Sequence, residues 1–336
     1  MAKRNTLIEL IILAASVIAP LNAFPAGPAH PITLASAAIF VDGKPVDSGT
    51  FKAFLEFYRY DRSLPLQVEI KDDSAIGATE VVPAHRKIKL YFLSTHDERV
   101  AAILWLPAEA KSPFPCSLYL HGLGQKKETA EPYAHELLKE GYAVMALDAA
   151  YHGERQAGKL PMYGTNFYRM RDGYIQTVVD YRRALDYLES RPDIDGHRLT
   201  LIGMSMGAIM GSVLAGVDNR IKCPVLLVGG ADRGMMSRLS QLPTWRQIRA
   251  EKPDIDFDEL SRIFAPSDPL NFVDKISPRP VLMINGKQDV VVPIEANKLL
   301  HNTAKEPKKI VWLDSGHALP INQTVPVIRD WFKQYL

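Results

Sequence analysis

Cysteine is scarce in this chain of 336 residues, which has only Cys116 and Cys223. A small scaffold stapled by disulfides would need many more. The 21 glycines are far too few for a collagen repeat, and 47% apolar residues are far too many for a disordered chain. Charge of one sign is missing too: 40 Lys and Arg oppose 38 Asp and Glu, a formal net charge of +2, with no extended basic run. Nucleic acid is therefore not an expected partner, because phosphate binding needs a basic excess gathered on one face. The 9 histidines and 2 cysteines show no metal-ligand spacing, so neither a metal nor another cofactor is expected. What is present is enough apolar chain to bury a large core.

The N-terminus stands apart. Lys3 and Arg4 precede the apolar stretch from Thr6 to Ala19, and a Pro/Ala/Gly-rich segment follows from Pro20 to Ala29. This is the layout of a secretory signal peptide, expected over residues 1–29 with cleavage after Ala23 or Ala29. The stretch is short for a span of about 20 residues and is broken by Glu9 and Pro20, so no stable membrane association is expected after cleavage. The expected location is secreted or periplasmic. An oxidising compartment would allow Cys116 and Cys223 to pair, but both sit in strand-like apolar runs, which favours two unpaired core thiols.

From Ala84 to the C-terminus, apolar strand-like runs alternate with helical patterns, predicting an α/β domain with a mostly parallel sheet covered on both faces. Lys87–Leu93 and Arg99–Leu106 read as an antiparallel hairpin at the sheet edge. Six further runs, starting at Ser117, Tyr142, Arg198, Pro224, Pro280 and Lys309, bring the expected sheet to eight strands. Helices are expected near Ala130–Glu140, Tyr174–Ser190, Met206–Ala215, Ile294–His301 and from Val325. Residues 231–271 are too long for an ordinary crossover and contain two segments of helical spacing, so a small helical insertion is expected there. Residues 30–83 are expected to form an N-terminal extension packed on residues 84–336.

Gly203-Met-Ser-Met-Gly207 follows the apolar run Leu199–Ile202 and opens a helical one. A Gly-x-Ser-x-Gly pentapeptide joining a strand to a helix forms a turn so tight that both flanking positions favour glycine, leaving the serine strained and exposed above the sheet. A serine hydroxyl is a weak nucleophile and needs a base that is itself oriented by a carboxylate. Asp289, in Gly286-Lys-Gln-Asp289, and His317, in Gly316-His317, lie just past the C-terminal ends of two later strands, the edge where open α/β sheets place their sites. Asp232 follows the preceding strand and is a rival for the carboxylate. His121, before Gly122, is read as a structural hydrogen-bonder, and Asp148 as a brace for the loop Tyr151–Arg155. Acyl transfer would also need two main-chain donors for the developing oxyanion, expected at the N–H groups of Met206 and Leu123. Tyr163, Phe167, Met235 and Trp245, with Met162, Tyr168 and Met236, are candidates to line an apolar substrate pocket.

From Lys87 onward the chain resembles the α/β-hydrolase superfamily, and within it the dienelactone-hydrolase-like and acetyl-xylan-esterase-like branch of bacterial serine esterases. The resemblance rests on His121-Gly122, Asp148-Ala-Ala-Tyr-His152-Gly153-Glu154-Arg155, Gly203–Gly207, Gly286–Asp289 and Gly316-His317. It implies the α/β-hydrolase fold and a triad of Ser205, Asp289 and His317, with Asp289 preferred over Asp232 because the acid usually follows the penultimate strand. The elbow carries Ser205 where dienelactone hydrolases proper carry cysteine, and Leu123 stands where acetyl xylan esterases usually have tyrosine. The activity expected is hydrolysis of short to medium carboxylic esters through an acyl-enzyme, and the near-neutral charge suits an uncharged small-molecule substrate. Two other readings share parts of the pattern. A secreted prolyl-oligopeptidase-type peptidase has the same elbow and triad order, but the residues before Ala84 are too few for its propeller. A non-catalytic binding protein on a hydrolase scaffold would have no use for Ser, Asp and His in this arrangement.

Overall fold

A computed structural model describes residues 43–156 and 160–336; the segment expected as a signal peptide lies outside the described residues. Residues Arg99–Pro107 show why the apolar runs become strands buried on both faces. Val100, Ala102, Leu104 and Leu106 join one core, while Ile103 and Trp105 point into the other. A strand sandwiched between two helical layers reads as a continuous apolar run. The strands are β1 (Glu69–Ile76), β2 (His85–Leu93), β3 (Arg99–Pro107), β4 (Phe114–Leu120), β5 (Ala143–Leu147), β6 (Ile194–Met204), β7 (Val225–Leu227), β8 (Val281–Gly286) and β9 (Lys308–Leu313). Their order across the sheet is β1-β2-β3-β5-β4-β6-β7-β8-β9, antiparallel up to the β3–β5 pairing and parallel beyond it.

This is one strand more than the eight expected. The additional one is β1, contributed by the N-terminal extension, so the β2–β3 hairpin is not the sheet edge. β1 is exposed along nearly its whole length, so it carries no alternation of apolar residues to betray it. Its ladder to β2 is reinforced by the fork of Arg86 on the Asp73 carboxylate at 2.6 and 2.5 Å. Exposed pairs of this kind add little stability, but charge on an outer strand discourages pairing with another chain.

One helical layer holds α3 (Phe167–Glu189), α4 (Met206–Val217) and α8 (Ile294–Thr303), and the other holds α2 (Glu131–Lys139) and α9 (Ile321–Tyr335). α3 starts two turns earlier than its apolar pattern predicts, capped by the Asn166 side chain on the Arg169 N–H at 3.0 Å. Gly173, a poor helix former, lies inside it because a Cβ there would stand 2.7 Å from Met162 Sδ and 2.9 Å from the Tyr151 ring. The stretch 231–271 folds as α5 (Arg233–Leu239), α6 (Pro243–Glu251) and α7 (Phe257–Phe264), followed by short 3₁₀ turns. α5 and α7 approach so closely that a Cβ on Gly234 would lie 2.5 Å from the Phe257 carbonyl. Cys116 and Cys223 are buried and unpaired; burial pushes both thiols up, that of Cys223 to about 12.

The extension also supplies α1 (Ser48–Glu56), whose N-cap Asp47 accepts from the Gly49 and Thr50 N–H groups at 2.8 and 3.1 Å. Phe51 and Tyr58 meet Phe272 edge-on, at centroid distances of 5.5 and 5.7 Å. The buried Tyr58 hydroxyl donates to the Pro266 carbonyl at 2.6 Å. Phe54 and Tyr58, with Phe51 packed against them, are thus part of the core. Tyr58→Ala is expected to cost about 3–5 kcal/mol of unfolding free energy in urea titrations, as a buried aromatic does; a loss below about 0.5 kcal/mol would mark the extension as a mere appendage.

Candidate active site

β6 ends at Met204 and α4 begins at Met206, leaving Ser205 alone to reverse the chain. Its φ of 55° and ψ of −115° lie in a region that costs a non-glycine residue about 1–3 kcal/mol. The flanking glycines follow from space as well as conformation. A Cβ on Gly203 would stand 2.4 Å from the Gly207 carbonyl oxygen, and one on Gly207 would stand 1.9 Å from that of Leu120.

Two loops at the same sheet edge meet this turn. Asp289 follows β8 and His317 follows β9, and the loops touch backbone to backbone, since a Cβ on Gly286 would lie 2.1 Å from the Gly316 carbonyl oxygen. His317 Nε2 is 2.8 Å from Ser205 Oγ, and His317 Nδ1 is 2.8 Å from Asp289 Oδ2. The other carboxylate oxygen of Asp289 accepts from the N–H groups of Val291 and Val292 at 2.8 and 3.0 Å. The carboxylate is buried, whereas the imidazole keeps a solvent-facing edge. The rival Asp232 is otherwise engaged: it caps α5, accepting from the Met235 N–H and the Ser261 hydroxyl at 3.0 Å each.

The loop after β4 lies beside the elbow. His121 accepts the Ala149 N–H on Nε2 at 3.1 Å and donates Nδ1–H to the Gly122 carbonyl at 2.8 Å. Burial pushes its pKa down to about 4, so the ring stays neutral and ties two loops together. The Asp148 carboxylate accepts from the Lys127 main chain and ammonium, both at 2.8 Å, and from the Glu154 N–H at 2.9 Å. Burial opposes the Lys127 charge, but Asp148 and Glu154 outweigh it and hold the ammonium above its usual range. Gly153 is pressed against Asp148, where a Cβ would come within 2.3 Å of the carboxylate. The Leu123 N–H donates to no described residue, and Met206, as the first residue of α4, has no helical acceptor one turn back. Both residues line the same cavity as Ser205 and His317.

That cavity has a volume of about 190 Å³. Of the seven residues expected to line it, Tyr163, Met236 and Trp245 do, and Phe167, Met235, Met162 and Tyr168 do not. Phe167 lies behind Trp245, stacked on it with centroids 6.4 Å apart. Met235 is displaced by its neighbour Met236, because successive helical residues point about 100° apart and only the second faces the cavity. Tyr168 is exposed, and Met162 is buried against Gly173. The sequence reading missed Arg233, Ser237, Ser240 and Leu242 on the cavity wall. Two serines, a leucine and one arginine on and between short helices carry no signal in sequence that would distinguish a wall from a surface.

Residues 118–328 match the family described as the alpha/beta hydrolase family, and the chain belongs to it. Esterase YjfP of Escherichia coli (strain K12) is 24% identical over 195 residues, covering 58% of this chain and 76% of that protein. The acetyl xylan esterase from Paenibacillus sp. R4 superposes with a TM-score of 0.69 at 18% identity, over 88% of this chain and 98% of that one. Acetyl xylan esterase 1 from Thermoanaerobacterium sp. JW/SL YS485 does so with the same TM-score of 0.69 and 18% identity, over 87% of this chain and 95% of that one.

Asp268 anchors the insertion beside the cavity, its buried carboxylate accepting from the N–H groups of Asp232, Arg233 and Leu270 at 3.0, 2.6 and 2.9 Å. Burial first, and the neighbouring Asp232 charge second, push it up to about 6 from 3.8. A folded-state pKa above the unfolded value adds stability at low pH that is lost as pH rises through about 6. Wild type is therefore expected to lose on the order of 2–3 kcal/mol relative to Asp268→Asn between pH 4 and pH 7, read from urea unfolding at each pH. Parallel profiles would remove Asp268 as the cause.

Proposed function

We propose that this hydrolase is an exported serine carboxylesterase acting on short to medium acyl esters. The observation that carries the reading is the chain of contacts from Ser205 Oγ through His317 to Asp289, two steps of 2.8 Å each, with Ser205 and His317 lining a cavity. His317 Nε2 takes the Ser205 proton as Oγ bonds to the ester carbonyl carbon. Asp289 accepts Nδ1–H, which holds the tautomer and favours the imidazolium. The N–H groups of Met206 and Leu123 receive the oxyanion, and the first of them gains from its place at the N-terminus of α4. The tetrahedral intermediate breaks its bond to the alcohol oxygen, which leaves with the proton from His317. Water then attacks the acyl-enzyme with His317 again as base, releasing the acid and restoring Ser205. Tyr163, Trp245, Met236, Ile209 and Leu242 give the cavity an apolar wall of a size suited to short chains. The esterase names of Escherichia coli YjfP and of the two acetyl xylan esterases agree with this reading.

Hydrolysis of p-nitrophenyl esters from acetyl to decanoyl tests it. Turnover is expected to peak at short chains and to fall at least about a thousandfold in Ser205→Ala and on the order of 10⁴-fold in Asp289→Asn, with fluorophosphonate labelling lost in Ser205→Ala. Full turnover by Ser205→Ala would overturn the mechanism, and cleavage of proline-containing peptide amides without ester turnover would favour a peptidase. For export, N-terminal sequencing of protein recovered outside the cytoplasm of a secreting bacterial host is expected to begin at Phe24 or His30. An N-terminus retaining Lys3 and Arg4 would overturn that part of the reading.

A further inference from the structure

Arg233 is 3% exposed, and it lines the cavity that contains Ser205 and His317. Its guanidinium carbon sits over the ring of Tyr174 at 3.7 Å and over that of Phe264 at 4.2 Å from the centroids. Those contacts stabilise the flat cation through its faces and leave its N–H groups, which lie in the plane, unsatisfied. Among the described residues no side chain or carbonyl accepts a hydrogen bond from the guanidinium, and no carboxylate oxygen comes within 4.0 Å of it; Nη1 is buried without a partner. The nearby acids are occupied elsewhere. Asp268 takes main-chain N–H groups, including that of Arg233 itself, and Asp232 takes the Met235 N–H and the Ser261 hydroxyl.

The Asp268 carboxylate lies near enough to feel the Arg233 charge but spends its oxygens on main-chain N–H groups, and a buried guanidinium whose N–H groups meet no acceptor is costly. Here the missing partner has a way in, because the cavity that would receive the ester opens beside Arg233. A planar fork of donors matches a carboxylate with two parallel bonds. We propose that Arg233 is a specificity residue, and that the substrate carries a carboxylate besides its ester, as a half-ester of a dicarboxylic acid or an ester of a hydroxy acid. This rests on the esterase reading and narrows it. A net charge near zero gave no hint of it, since one buried cation is lost in a sum over 78 charged side chains, 40 basic and 38 acidic.

The test compares charged and neutral members of matched pairs by pH-stat: monoethyl glutarate against ethyl pentanoate for a carboxylate on the acyl side, and 4-acetoxybenzoate against phenyl acetate for one on the alcohol side. Wild type is expected to favour the anion in at least one pair by about tenfold or more in kcat/KM, and which pair responds locates the carboxylate. That ratio should fall to about one or below in Arg233→Met and be partly restored in Arg233→Lys. Because each ratio is taken within one enzyme, a general loss of fold cancels, and if Arg233→Met does not fold, the wild-type ratios decide. Neutral esters turned over as fast as both anions by wild type would overturn the proposal while leaving the esterase reading standing. No turnover of any ester would sink that reading instead. Calorimetric titration of monoethyl glutarate and 4-acetoxybenzoate would then decide the Arg233 site alone, with binding lost in Arg233→Met supporting it and no binding to wild type overturning it.

Discussion

The close approach of Gly207 to the Leu120 carbonyl is the constraint on which the rest of this molecule turns. It lets the first turn of α4 lie against the end of β4, so that the loop after β4 and the start of α4 share one small space. Leu123 and Met206 then line one cavity, beside a serine that the reversal forces into a strained conformation. α4 is buried from Met206 to Ala215, and its packing against β6 and α3 resists any relaxation of the turn. Strain of this kind persists only when its surroundings over-determine it.

A second set of contacts keeps the polar groups around that point in place. His121 is held neutral by burial and bonded at both ring nitrogens, so it acts as a strut between the loops after β4 and β5. Asp148 and Lys127 form a buried ion pair beside them, which the exposed Glu154 extends to the surface. On the other side the backbone contact between Gly286 and Gly316 brings the loops after β8 and β9 together, which sets the spacing between Asp289 and His317. The insertion then roofs the site, and its anchors, Asp232 and Asp268, stabilise its first turn through main-chain N–H groups. Among the described residues, Asp148, Lys127, Asp232, Asp268 and Asp289 all have hydrogen-bond partners around the site, whereas the guanidinium of Arg233 has none.

Much of the framework was legible in the chain itself. The parallel strands are continuous apolar runs because both faces of the sheet are covered, and the Gly-x-Ser-x-Gly turn is legible because its glycines are demanded by contacts as short as 1.9 Å. Ser205, Asp289 and His317 could be picked out because each follows a strand that is easily recognised. β1 was not legible, since an exposed strand held by ladder bonds and charge pairs needs no apolar alternation. The start of α3 was obscured by Gly173, a residue chosen for its contact with Met162 and Tyr151 and not for helix formation. Met235 and Phe167 were misplaced because composition cannot say which side of a short helix, or which of two stacked aromatics, faces a cavity.

The sequence by itself determined what can be read from residue type and order: the alternation of strands and helices, the sharp turn at Ser205, and the presence of an acid and a base at later strand ends. Tertiary structure alone decided distances and vacancies. Ser205 and His317, 112 positions apart along the chain, cannot be known to touch until the sheet sets β6, β7, β8 and β9 in order, with Asp289 on the far side of the imidazole. An arginine cannot be known to lack a partner until every neighbour has been placed around it. The reason is the same in both cases: periodicity and turn chemistry act locally along the chain, whereas contact between distant side chains exists only once the core has closed.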